Sequence, residues 1–173
     1  MKIYIIALTF IAMLTAAFPL RAATPPVPIE KKAVLDRLRG KWRMEATVFK
    51  SEWTPEEHKM TGNDSAEWKL GGRILEWHGE ASDGNSTLAV FFYDTVRQSF
   101  RHWFFGSNGA ANETTSEWDA ATKTLTWKGD LGNGLSITAT YRFTGEDTFE
   151  SKVMVAGSDG KTYFHLEGKA VRQ

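Results

Sequence analysis

Turn signals recur about every dozen residues along this chain, and between them the side chains alternate apolar and polar. Gly71-Gly72, Asp83-Gly84-Asn85, Ser107-Asn108-Gly109, Asn133-Gly134 and Ser158-Asp159-Gly160 supply the residues that tolerate positive φ in tight hairpins. "DTVR" (94–97) and "DAAT" (119–122) fit four-residue loops. Ten period-2 runs lie between these breaks: 41–50, 62–70, 73–82, 86–93, 98–105, 110–118, 123–129, 134–144, 148–156 and 161–171. Short turns join antiparallel neighbours, so the runs predict an all-β meander. Ten such strands either close or leave exposed edges. A closed antiparallel up-and-down β-barrel of about ten strands is therefore favoured over a two-sheet sandwich. Only "SEWTPEEHKMT" (51–61) is long, which makes it the candidate lid or portal.

Two segments precede the strands. Residues 1–22 have a positive start at Lys2, an apolar stretch from Ile3 to Leu14 and small residues around Ala22. This is the layout of a secretory signal peptide, too short for a membrane span. A periplasmic or secreted location is expected. Residues 23–28 read as a Pro-rich linker, and 29–173 as a single domain. Within it, "IEKKAVLDRLRG" (29–40) carries Ile29, Ala33, Leu35 and Leu38 amid charge. It fits a short amphipathic helix stopped by Gly40.

Loss of residues 1–22 leaves a net charge of −2 over 151 residues. That balance, without a basic block, argues against a nucleic-acid partner. Charges such as Arg73, Glu76, Lys128, Arg142, Lys152 and Lys169 are spread through the strands. A lipid-facing barrel would need an uninterrupted apolar face, so no membrane insertion is expected. There is no cysteine, hence no disulfide and no thiol chemistry. Nucleophile elbows, zinc-protease and P-loop signatures are also missing from the sequence, which gives enzyme status little support. The distinctive number is aromatic: seven Trp and eleven Phe, a composition that suits strands and a lined cavity alike.

With the strands placed, the chain resembles the calycin, or lipocalin-like, barrels. Gly40-Lys41-Trp42 is similar to the Gly-x-Trp of their first strand. The resemblance implies a basic residue of the last strand, Arg172 or Lys169, covering that Trp as a cation–π cap. More closely, the chain resembles the lipocalin-like domain-of-unknown-function family 1579. The motifs are "LRGKW" (38–42), "LGGRILEW" (70–77), "FYDTVRQSFRHWFF" (92–105), "WDAATKTLTWKG" (118–129) and "SDGKTYF" (158–164), in order over nearly the whole domain. "AVFF" (89–92) departs from that pattern, where a glycine-containing run is expected. The resemblance implies a fold and no established activity.

Candidate site residues follow from strand parity. Glu76, His78 and Glu80 form a carboxylate–imidazole–carboxylate row on one strand, which could suit a metal, a polar cavity wall or plain solvent. If Asp83-Gly84 is a two-residue turn, paired residue numbers sum to 167. Leu75 then faces Phe92 and Trp77 faces Val90, which puts the charged row outside. A three-residue turn reverses the pairing parity, although Leu75 and Trp77 still favour the interior. His102 reads as an interior group or a carboxylate partner. His165 is the more suggestive histidine, because nitrobindin-type haem barrels use one late in the chain, although their glycine-rich motif is missing here.

Ten strands enclose more room than side chains readily fill. A cavity for a small apolar molecule is thus expected, lined by Trp77, Phe92, Trp103, Arg101, Tyr141 and His165, with no catalytic or metal residues assigned and no cofactor. The alternatives are a hydrolase or isomerase using a cavity histidine, a haem barrel, or a protein that works through its outer surface.

Overall fold

The computed structural model describes residues 25–173. The signal peptide expected over 1–22, and the first residues of the linker, lie outside the described residues. Among the described residues, one helix, α1 (Ile29–Asp36), precedes ten strands. These are β1 (Gly40–Val48), β2 (His58–Lys69), β3 (Ile74–Ala81), β4 (Ser86–Asp94), β5 (Ser99–Gly106), β6 (Ala111–Asp119), β7 (Thr124–Gly132), β8 (Leu135–Phe143), β9 (Thr148–Gly157) and β10 (Thr162–Arg172). Each strand pairs antiparallel with its sequence neighbours, and β1 pairs with β10 to close the barrel. Closure removes both sheet edges, as the turn spacing required.

Period 2 decides what fills the interior. Trp42, Ala46 and Val48 of β1, Leu75 and Trp77 of β3, and Leu125 and Trp127 of β7 are buried, while their neighbours face out. Helix α1 lies across one end of this core. Pro28 leads in, its carbonyl accepting from the Lys31 and Lys32 amides at 3.0 and 2.9 Å. Val34, Leu35 and Leu38 then bury against the barrel end, although Ile29, expected on the same face, is exposed. The floor is also tied by polar contacts. Trp42 Nε1 donates to the Leu38 carbonyl at 2.8 Å, and Trp68 Nε1 to Asp36 Oδ1 at 2.7 Å.

Gly40 does not cap the helix as expected. The helix ends at Asp36, and Gly40 opens β1 with φ +119°. A Cβ there would lie 2.7 Å from Arg172 Nη1. The glycine thus admits the arginine that seals this end. Arg172 stacks over Trp42 at 4.2 Å and donates to Asp147 Oδ1 (2.8 Å) and to the carbonyls of Arg37 (3.0 Å) and Arg39. Arg172, and not the outward-facing Lys169, provides the cap.

Two expectations are corrected. The long connection is shorter than 51–61, because β2 already starts at His58. What remains of it is pinned to β10: the Glu52 and Trp53 amides donate to the carbonyls of Thr162 and Tyr163 at 3.1 and 3.0 Å. The β3–β4 turn is three residues long, not two. Ala81 N donates to Asn85 O, and Gly84 takes φ +86°. Leu75 therefore opposes Phe91, and Trp77 opposes Ala89.

Candidate cavity site

The end of the barrel away from α1 holds a cavity of about 330 Å³. Its mouth lies between the β3–β4 and β5–β6 turns, where Asp83, Asn85, Ser107 and Asn108 line it. Deeper in, the walls are apolar and mostly aromatic: Trp77, Phe91, Phe104, Phe149, Phe164 and Leu166. Trp77 sits edge-on to Phe91 (6.1 Å) and Phe149 (6.5 Å), and Tyr141 tilts against Phe149 at 5.5 Å. The volume lies at the low end of the roughly 300–1,000 Å³ typical of small-molecule sites.

Three titratable groups share this apolar chamber. Asp64 on β2 projects inward because Gly62, Asp64, Ala66 and Trp68 form the inner row of its strand. Its cross-strand neighbours are Trp42 on β1 and Gly79 on β3. Gly79 makes room for it: a Cβ there would lie 2.6 Å from Asp64 Oδ1 and 2.7 Å from Thr87 Oγ1. Burial pushes the Asp64 carboxyl up from 3.8 to about 6. His102 on β5 is buried, with Nδ1 3.0 Å from Thr114 Oγ1 and its ring stacked on Phe91 at 4.5 Å. Burial brings it down from 6.5 to about 4, so it is neutral near pH 7. Tyr141 is pushed up to about 12, first by burial and then by the charge of Asp64. Ser151 Oγ, also on the lining, is buried without a hydrogen-bond partner among the described residues. The chamber thus presents a carboxylate, a neutral imidazole and a phenol to whatever enters.

Of the six residues expected to line a cavity, Trp77 and Tyr141 do so. The other four face away, which corrects the expectation. Phe92 lies on the outer surface against Trp103, ring centroids 5.0 Å apart, and Trp103 is 40% exposed. Arg101 also points outward, paired with Glu113 and 3.9 Å from Asp94. His165 points outward beside Glu167 (3.0 Å), its ring stacked on Phe49. The physical reason for Phe92 is the one-residue slip at the β3–β4 turn, which sends Phe91 inward in its place. Glu76, His78 and Glu80 take the outward side of β3, where His78 pairs with Glu76 at 3.1 Å.

Sequence reasoning passed over Asp64 and Ser151 and left His102 open between two roles. For Asp64 a signal existed. A lone acid at even spacing with Ala66 and Trp68 is out of place on an apolar face.

The fold is lipocalin-like. No protein-family model and no curated protein sequence matches the chain. Solved structures do match. Rv2717c from M. tuberculosis superposes with a TM-score of 0.63 at 12% identity, covering 86% of this chain and 99% of that one. The S-type phycobiliprotein lyase CpeS from Guillardia theta gives a TM-score of 0.51 at 12% identity, covering 84% and 98%. A protein of unknown function from the DUF3598 family of Nostoc punctiforme PCC 73102 gives 0.50 at 11% identity, covering 91% and 53%. At these identities the likeness is one of fold.

Proposed function

We propose that the protein is an exported, non-enzymatic barrel that binds or carries a small, largely apolar molecule in the cavity opposite α1. The observation that carries this reading is the chamber itself: about 330 Å³, open at one end and walled by aromatic side chains. A closed barrel with no use for an interior would be expected to fill it with side chains. Export rests on the character of residues 1–22 alone. Kinship with family 1579 rests on the ordered motifs. Charged ladders on the outer strands, such as Lys152 with Glu167 at 2.8 Å, support a barrel that works in water.

A hydrolase or isomerase is the second reading. The presence of His102 and Asp64 in one chamber keeps it in play. The haem reading loses its intended ligand, since His165 faces away from the cavity.

The test is a titration with a neutral fluorescent hydrophobic probe such as Nile red. Saturable one-to-one binding is expected, abolished by Val153→Trp, which plugs the cavity from β9 while circular dichroism stays unchanged. Binding that survives the plug would place the probe elsewhere and contradict the reading.

A further inference from the structure

We infer that the cavity is selective for organic cations: it takes a molecule whose protonated amine pairs with Asp64 while its apolar body lies against Trp77, Tyr141 and Phe149. This deepens the carrier reading above and rests on it.

Charge is the first argument. Asp64 stands inside the cavity and Asp83 at its mouth, whereas no Lys or Arg among the described residues lines it. Among the described residues, His102 is the only other group there that could become cationic, and burial keeps it neutral above about pH 4. A carboxylate ligand would meet repulsion without a counter-charge. An ammonium would meet attraction between apolar walls, where Coulomb forces are stronger than in bulk water.

The second argument is the state of Asp64 itself. Other acids of this chain hold their charge with donors: Asp94 accepts from Val96, Arg97 and the Arg97 guanidinium, and Asp159 from Lys161 and Tyr163. Asp64 makes no side-chain hydrogen bond among the described residues, and Trp42 and Gly79 beside it offer no charge. A desolvated carboxylate without a partner is costly. Glycine at 79 nevertheless keeps the space in which it stands. A ligand that brings the missing donors removes that cost on binding.

The third argument is the wall. The faces of Trp77 and Tyr141 carry negative quadrupole density and attract a cation near them. Aromatic walls around one acid are the usual chemistry of ammonium recognition, and they also accommodate an alkyl or aryl body.

The experiment compares decylamine, decanol and decanoate, which share a chain and differ in head group, by calorimetry at pH 7.5. Decylamine is expected to bind at least tenfold more tightly than decanol, with decanoate weakest. Asp64→Asn should bring decylamine down to the decanol level while leaving decanol within about threefold. Should Asp64→Asn fail to fold, the native protein provides the second readout. At pH 6 in two buffers of different ionisation enthalpy, decylamine should release up to half a proton, because pairing favours the ionised carboxyl. Beside Asp64, β1 and β3 present Trp42 and Gly79, Tyr141 of β8 lies close enough to feel its charge, and His102 of β5 lines the same cavity. Tyr141 and His102 keep their neutral forms at that pH. Equal affinity for amine and alcohol, a preference for decanoate, or no proton release would overturn the inference. Equal affinity with decanol still bound and blocked by Val153→Trp would leave the carrier reading standing, whereas failure of all three ligands would remove both.

Discussion

Asp64 and His102 are withdrawn from water inside the same barrel, and burial moves them in opposite directions. Asp64 is raised from 3.8 to about 6, so its contribution to stability is fully present below pH 3.8 and lost as pH rises to about 6. His102 is lowered from 6.5 to about 4, so its contribution is present above pH 6.5 and lost as pH falls towards 4. The two oppose each other over most of that window. Replacing Asp64 by Asn removes one of them. The variant should match the parent near pH 3.5, gain on it as pH rises and be more stable by about 1–3 kcal/mol above pH 6. Urea midpoints measured from pH 3.5 to 8 check this, and a constant difference across pH would contradict it. At this scale the sequence was only partly legible. Trp77 could be placed because Leu75 and Trp77 belong inside under either turn length. Phe92 could not, because its side depends on counting a single turn residue.

That count belongs to the hairpins. Asp83 Oδ1 accepts from the Asn85 amide at 3.0 Å, and Gly84 at φ +86° completes a three-residue turn. Nothing stands within 4 Å of where a Gly84 Cβ would be, so a side chain there would strain the backbone alone. Gly84→Ala should lower stability by about 1–2 kcal/mol with no change in cavity binding. A loss of probe binding in that variant would show that the turn sets more than register. The number of strands and most of their limits were readable from turn chemistry, since Gly, Asn and Asp mark the breaks directly. The start of β2 was not. "HKM" (58–60) follows a Pro-containing polar stretch and carries no turn residue of its own, so its pairing with β1 is decided by the barrel rather than locally.

The whole molecule is a barrel with one end sealed and one end open. The seal is α1 together with Arg172, whose guanidinium joins the last strand, the helix exit and Trp42. Arg172→Ala should cost about 2–4 kcal/mol through lost charged hydrogen bonds and the exposed indole beneath. Arg172→Lys should recover less than half of that, because an ammonium cannot serve all of those acceptors at once. Thermal or urea denaturation reads both. Closure itself was legible, since ten antiparallel runs had no better way to cover their edges. The chamber was legible as an expectation of spare volume, yet its chemistry was not, because the strands that bring Asp64, His102 and Tyr141 together are far apart in sequence.

The central claim is that ligand enters this chamber and meets Trp77 from inside. Titration with 10-bromodecan-1-ol, whose bromine quenches nearby indoles, tests it most directly. Saturable quenching should be preserved in Trp103→Phe, which alters only the outer surface, and largely lost in Trp77→Phe. Quenching that persists without Trp77 and disappears without Trp103 would put the ligand on the outside of the barrel and contradict the account.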